Sequence, residues 1–417
     1  MVAPLGLTVE ENWRNVLAGK SGIGPIRHFD ARTFPTTFAA QVPEFNLGDY
    51  CDHPEEYVKC TSNARFAIAA SRQAYDQSGL ASANIDRERF GIYMAGGEGS
   101  TDFPTFTRTV HAAIKDGTVD PSIYYDVGMR NYDGFLELEQ EPGRVAVHLA
   151  RLYQALGPNS NSLTACAAST QAIGEASMAI RRGDVELMLT GGAHSMIRPL
   201  GVTGFNLLTA LATEPRDNPQ SASRPFDRNR SGFVLGEGST MLVLEELSHA
   251  LARGATLLGE IIGFGSSADA YRMTDIHPEG RGPLACLEAA VADAGIDRGQ
   301  IDYVNAHGTS TKENDKIETL TLKRFFGEHA RKVPVSSIKS SLGHLIAAAG
   351  ATELAVCVLA IRDQILPPTI NYRDPDEGLD LDYVPNVARK AKVEVALSES
   401  FGFGGQNNAV IVRRYLP

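Results

Sequence analysis

Short apolar runs alternate with amphipathic stretches along the whole chain, the pattern of a layered α/β protein. Thr8-Val9-Glu10-Glu11 sets a capping threonine before two acids and predicts a helix through about Leu17. Phe66, Ile68, Ala69 and Ala74 recur at helical spacing within 61–79. Arg89 to Gly97 reads as a buried strand ending in glycines, and Glu186 to Gly192 repeats that pattern. A helix of small residues is predicted between them, over 167–182. Thr240 to Glu246 and Leu258 to Phe264 add two strands. The second half predicts a helix over 283–294, a strand from Ile301 to Asn305 and a helix over about 313–326. A long small-residue helix over about 344–362 and a strand from Ala409 to Val412 follow. The polar, proline-bearing stretch 214–232 is too long for a turn and predicts a packed or functional loop. Strand-then-glycine units in one part and strand-then-site units in the other predict two similar α/β halves, 1–254 and 255–417.

Four segments are polar where such a core should be apolar. Cys166 stands in Asn161-Ser162-Leu163-Thr164-Ala165-Cys166-Ala167-Ala168, at the start of the small-residue helix. Free N–H groups and the macrodipole at a helix start favour thiolate over thiol. A buried structural cysteine is the alternative for a thiol beside alanines. His307 lies on the glycine turn Asn305-Ala306-His307-Gly308-Thr309, after an apolar strand, either at a ligand-facing sheet edge or as a satisfied loop histidine. Lys339 and His344 open the long helix within Ser336-Ser337-Ile338-Lys339-Ser340-Ser341-Leu342-Gly343-His344, as site residues or as a solvated helix start. Gly402, Gly404 and Gly405 surround Phe403 in Ser400-Phe401-Gly402-Phe403-Gly404-Gly405, which suggests close backbone approach to a ligand, or a hinge. No phosphate-binding or dinucleotide fingerprint accompanies them.

Composition removes several function classes. The formal charge of −11 over 417 residues argues against nucleic-acid or anionic-membrane binding. No apolar stretch approaches a membrane span, and the first residues carry no secretory pattern. The five cysteines are scattered without a Cys-x-x-Cys pair, which predicts free thiols in a reducing compartment, the cytoplasm, and neither disulfides nor a zinc site.

Taken together, these segments resemble the β-ketoacyl-acyl carrier protein synthases of the thiolase superfamily, in the elongating type I/II branch. The likeness covers nearly the whole chain. It includes Ser21-Gly22-Ile23-Gly24, Thr164-Ala165-Cys166, Arg224-Pro225-Phe226-Asp227, Gly236-Glu237-Gly238, Asn305 to Thr311, Lys339 to His344 and Phe401 to Gly405. The resemblance implies two thiolase-like halves in an αβαβα sandwich and a homodimer. It makes Cys166 the nucleophile that takes an acyl chain from a phosphopantetheine thioester. His307 and His344 would bind a malonyl thioester carbonyl and promote loss of CO2, Lys339 would hold the second histidine, and Glu318 would be a structural acid. The N–H groups of Cys166 and Phe403 would form the oxyanion hole, with Phe403 a gate on its glycine hinges. Thr309, Thr311, Phe205, Thr274, Asp269 and Phe401 would contact pantetheine or substrate. No resident cofactor or metal is implied, because phosphopantetheine arrives on the acyl carrier protein. Initiating synthases carry Asn at the second histidine, degradative thiolases a second Cys in the last segment, and non-catalytic chain-length partners lack the nucleophile; none of these replacements is present here. The implied activity is fatty-acid chain elongation. A polyketide or specialised-lipid ketosynthase, and a non-condensing partner subunit, are the rivals.

Four departures from that pattern stand out. The family begins one strand earlier, with a strand expected centrally in the N-terminal sheet. Residues 106–156 are longer and more acidic, so chain-length preference does not transfer. The usual basic patch for a carrier reads Asp52-His53-Pro54-Glu55-Glu56, with Lys59 and Arg65 nearby and Arg181, Arg182, Arg198 and Arg216 as other candidates. Lys312-Glu313-Asn314 replaces a usual proline, with only a surface effect expected.

Overall fold

The computed structural model describes residues 1–96 and 101–416; Gly97, the predicted end of the first buried strand, lies outside them. The chain opens with α1 (Val9–Leu17), the hairpin β1 (Ile23–Pro25) and β2 (Phe38–Ala40), α2 (Ser62–Gln77) and β3 (Phe90–Gly96). Next come α3 (Phe103–Ala112), the hairpin β4 (Ile114–Lys115) and β5 (Thr118–Val119), α4 (Pro121–Asn131), α5 (Gly134–Leu138) and α6 (Arg144–Tyr153). Then β6 (Asn159–Ser162), α7 (Ala168–Arg181), β7 (Leu187–His194), α8 (Pro199–Leu207), β8 (Gly238–Glu245) and α9 (Leu247–Ala252) follow. The remainder is β9 (Glu260–Ala268), α10 (Arg281–Ala294), β10 (Tyr303–Asn305), α11 (Lys312–Phe326), β11 (Val335–Ser336), α12 (Lys339–Leu342) and α13 (Ala349–Asp363). The hairpin β12 (Ile365–Leu366) and β13 (Arg389–Lys390), then β14 (Val395–Gly402) and β15 (Gln406–Arg413), end it.

Two sheets share one strand logic. In the order β6-β3-β7-β8, β3 runs parallel to β6 and β7, and β8 is antiparallel. In the order β11-β10-β14-β15-β9, β10 is parallel to β11 and β14, and β15 and β9 are antiparallel. Helices α2 and α6 cover the outer face of the first sheet, and α10, backed by α11, that of the second. Helices α7 and α13 lie between the sheets and touch each other, β7 and β14. These are the five layers the resemblance implies.

The middle layer explains the small residues. A helix between two sheets is buried all round, so its neighbours come close only where side chains are short. A Cβ on Gly350 would sit 1.9 Å from Thr170 Oγ1, and one on Gly192 2.5 Å from the Ala347 carbonyl oxygen. Polar groups there are paired: Ser169 Oγ accepts the Ala351 N–H at 3.0 Å, and the Thr170 and Ser400 hydroxyls meet at 2.8 Å.

Several expectations change. The long helix does not begin at 344: Gly343, at φ 68°, ends α12, and a 3-10 turn over Ile346–Ala348 precedes α13. Strand β6 (Asn-Ser-Asn-Ser) and strand β14, with buried Ser398, Glu399 and Ser400, carry too little apolar alternation to be anticipated. Val2 bridges Ser239 at the outer edge of β8, the place β9 holds against β15, so the incoming segment meets the first sheet at its edge and not at its centre. The 214–232 loop is a packed strut: Phe226 stacks on Tyr383 at 4.0 Å, and buried Arg230 pairs with Asp315 at 3.3 Å and Asp376 at 2.6 Å.

Candidate active site

Cys166 sits at a strained elbow between β6 and α7. Ala165, just before it, has φ 48°, a conformation a side chain resists, and Ala165–Ala167 form a 3-10 turn ahead of the helix proper. The thiol is 4% exposed. Burial pushes it up to about 11, against the pull of the Lys339 charge and the Phe403 N–H. That corrects the thiolate expected at a helix start: desolvation outweighs the stabilising groups, and the resting residue is a thiol.

Two imidazoles face it. One ligand-type atom from each of Cys166, His307 and His344 lies within 4.8 Å of the other two. The histidine rings are 5.4 Å apart and nearly perpendicular, at 85°. His307 follows β10, and its Nδ1 lies 3.4 Å from Lys339 Nζ, which has only hydrogens to offer. His344 Nδ1 accepts the Ile346 N–H at 3.3 Å. Both Nδ1 atoms are therefore acceptors, and each neutral ring carries its hydrogen on Nε2. Burial first, and then the Lys339 charge, hold both rings well below the usual histidine range, so both are neutral at pH 7. His344 Nε2 has no protein partner. The pair presents two N–H donors to one small space.

Behind them lies a buried charge cluster. Lys339 pairs with Glu353 on α13, a residue the sequence reading missed; its mark is an acid set among small and apolar residues, well before the charged last turn of that helix. Lys339 thus braces His307, the first histidine, where the resemblance assigned it to the second. Glu318 accepts the Gly308 N–H at 2.8 Å and Asn314 Nδ2 at 3.1 Å, so it holds the His307 turn. Burial raises Glu318 to about 7, and burial with the neighbouring Glu318 charge raises Glu399 well above the carboxylate range. Asn314, expected to matter only at the surface, is buried against Glu318. His194, at the end of β7, is a further unforeseen group, buried with both ring nitrogens unpaired and pushed down to about 3 by desolvation.

The glycine loop closes the site. Gly402 ends β14 with its Cβ position 2.9 Å from the Thr164 carbonyl oxygen, so only glycine lets this backbone reach the Cys166 elbow. Gly404 and Gly405 adopt φ of 90° and 74°. The Phe403 N–H is directed at the Cys166 sulfur, beside the residue's own N–H. The facing loop clasps this turn through backbone: the Gly404 N–H donates to the Met273 carbonyl at 2.6 Å, and the Asp269 N–H to the Gly405 carbonyl at 2.7 Å. Asp269 is buried there, and Thr274 is exposed beside it.

The remaining predicted residues divide. Phe205 joins Ile197, Val202, Phe233 and Ile346 in the apolar cluster that holds Cys166. Thr309 and Thr311 bond each other at 2.9 Å, and Thr311 also caps α11. Phe401 is buried edge-on to His307 at 5.7 Å, where it packs the imidazole. Of the arginine candidates, Arg181 pairs with Asp293, Arg182 with Asp184 and Arg216 with Glu214, whereas Arg198 is held largely out of solvent beside Ser62.

Comparison with known proteins identifies the family. Residues 1–250 match the beta-ketoacyl synthase N-terminal domain, and residues 258–373 its C-terminal domain. The 3-oxoacyl-[acyl-carrier-protein] synthase 2 of Coxiella burnetii is 42% identical over 414 residues, 99% of this chain and 96% of that protein. A beta-ketoacyl synthase from Burkholderia phymatum superposes with TM-score 0.89 at 32% identity, covering 100% of this chain and 97% of that one. A type II PKS ketosynthase, solved with its acyl-carrier protein and bound to a hexaketide, gives 0.87 at 32% identity, with coverage of 100% and 97%. A buried cysteine elbow, two imidazole donors and a glycine-rich turn, within a sequence matched over nearly its whole length, place this chain in the β-ketoacyl synthase family, with its thiolase-like fold.

Proposed function

We propose that the chain catalyses the decarboxylating Claisen condensation of an acyl thioester with a malonyl thioester, as a 3-oxoacyl-[acyl-carrier-protein] synthase of fatty-acid elongation. The observation that carries this is the convergence of the Cys166 thiol on two neutral imidazoles that both offer Nε2–H. Cys166 Sγ attacks the acyl thioester carbonyl, and the N–H groups of Cys166 and Phe403 receive the oxyanion. The bond to the pantetheine sulfur breaks. The Cys166 proton leaves with that sulfur, since neither ring, already protonated at Nε2, accepts it there. The malonyl carbonyl oxygen then takes the two Nε2–H donors, and the bond to its carboxylate breaks. CO2 departs and the electron pair forms an enolate, which those donors stabilise. The enolate carbon attacks the acyl-Cys166 carbonyl, and the sulfur leaves as thiolate and takes one proton from solvent, releasing a 3-ketoacyl thioester two carbons longer.

Both substrates would arrive on phosphopantetheine from an acyl carrier protein, with no cofactor resident in the enzyme. We place the working enzyme in the cytoplasm as a homodimer of two-half subunits, divided near residue 255. Mass spectrometry after incubation with acyl-carrier thioester, then malonyl thioester, tests the scheme. An acyl adduct on Cys166 followed by a two-carbon-longer product is expected. No adduct refutes the nucleophile, and an adduct that never elongates leaves acyl transfer alone. A substrate-length series separates fatty-acid from polyketide use.

A further inference from the structure

A second group of ligating side chains converges outside the Cys166 site, where α6 packs on α2. Cys60 precedes α2, Glu139 follows α5 and His148 lies on α6. A sulfur, a carboxylate oxygen and a ring nitrogen from these three lie within 4.8 Å of one another. All three residues are buried, at 3%, 2% and 7% exposure. They belong to separate segments, so no Cys-x-x-Cys spacing announces them.

The geometry has one connection too many. His148 Nε2 lies 2.8 Å from Glu139 Oε2 and 3.5 Å from Cys60 Sγ. A single ring nitrogen has one hydrogen or one lone pair and cannot serve both partners fully. A cation between the three atoms would serve all of them. Tetrahedral zinc, with bonds of about 2.3 Å to sulfur and about 2.0–2.1 Å to nitrogen, holds those two ligands roughly 3.5 Å apart. That is the separation already present. The carboxylate oxygen would retreat from the nitrogen by roughly 0.5 Å. Arg144 engages the other oxygen, Glu139 Oε1, at 3.1 Å, so Oε2 is the one left facing the group. The Tyr57 ring stands edge-on to His148 at 5.5 Å and fixes the imidazole plane. Thiolate and imidazole ligands select zinc-class cations over magnesium or calcium, and thiolate with carboxylate would neutralise a divalent charge.

We propose that Cys60, Glu139 and His148 form a binding site for one zinc-class divalent cation, which clips the 103–153 segment to the start of α2. Burial, helped by the hydrogen bond and charge of Glu139, pushes the Cys60 thiol up to about 12.

The test uses the full chain in a Cys166→Ser background, because Cys166, His307 and His344 form the other ligand-type cluster among the described residues. Chelator-stripped protein is loaded with zinc alone or cobalt(II) alone and desalted. One metal per chain, a thiolate-to-cobalt charge-transfer band and a zinc-dependent rise in Tm are expected. All three should vanish on further Cys60→Ser or His148→Gln substitution. Failure to retain metal, or metal content and cobalt band unchanged by Cys60→Ser, overturns the site. Should Cys60→Ser fail to fold, Glu139→Gln is read against the same outcomes, with unchanged metal content again refuting the proposal.

Discussion

Lys339→Met should lower the rate of malonyl decarboxylation by an amount that grows with pH. Lys339 Nζ is 3.4 Å from His307 Nδ1. The ring and an Nε2–H···O bond place the ammonium about 8 Å from the developing enolate oxygen. At an effective dielectric of about 20, a full charge at that distance contributes about 2 kcal/mol, roughly 30-fold in rate. Glu353 limits that effect. Burial raises its pKa, with the Lys339 charge opposing, so loss of the lysine raises it further. Where Glu353 takes a proton, the substitution removes an ion pair and not a net charge, and the deficit shrinks to about twofold. Where Glu353 ionises, an unbalanced anion remains and the deficit approaches 30-fold. Stability follows the same proton. The folded variant binds more protons than the unfolded chain above pH ~4.5, so it loses stability as pH rises through the Glu353 pKa. Decarboxylation rates from about pH 5.5 to 9, beside denaturant unfolding at each pH, check both parts. A deficit independent of pH, or larger at the acid end, would refute the electrostatic account.

Three further outcomes are expected. Cys166→Gln should abolish condensation while malonyl decarboxylation persists through His307 and His344; loss of both activities in a folded protein contradicts the division of roles. Gly350→Ala, whose Cβ would meet Thr170 Oγ1 at 1.9 Å, should cost about 1–3 kcal/mol and lower Tm, whereas Gly134→Ala, with open space at its Cβ, should be near neutral by calorimetry. Glu399→Gln should stabilise the protein at pH 8 more than at pH 5. The Glu318–Glu399 pair is raised in the folded state, so its protons are held by the native form, and its cost appears as pH climbs from about 4.5 past about 7; equal unfolding midpoints at the two pH values in wild type and variant would exclude this.

What the sequence made legible follows burial geometry. Helices with one apolar face and strands with continuous apolar runs, such as α1, α2, β3 and β7, were predicted within a few residues. Strand β14 was not, because Ser398, Glu399 and Ser400 are buried for their chemistry and break the apolar pattern. The four polar segments gave the thiol, the two histidines, the lysine and the glycine-rich turn through local composition and family likeness. Glu353, Glu399 and His194 escaped because none belongs to a recognisable motif, and each gains meaning only once a distant segment packs against it. The charge state of Cys166 was misjudged for a related reason: helix-start stabilisation is visible in sequence, whereas desolvation depends on the whole fold.

The paired sheets explain why the chemistry needs both halves. Ala165 and Ile346 are non-glycine residues with φ of 48° and 44°, and each begins a 3-10 turn that feeds a central helix, α7 or α13. The same elbow is therefore built twice, and the two elbows pack against each other. One carries a sulfur at Cys166, whereas the matching position of the other is Ala347, whose carbonyl presses on Gly192. The second elbow supplies its chemistry three residues before that position, through His344, whose Nδ1 is held by the N–H of the strained Ile346 itself. Strain at Ile346 is thus tied to the hydrogen bond that sets the His344 tautomer, and strain at Ala165 to the placement of the thiol. A nucleophile alone would need only one half of this architecture. A nucleophile faced by donors that stabilise an enolate needs two elbows with different side chains, which duplication followed by divergence at a few positions supplies.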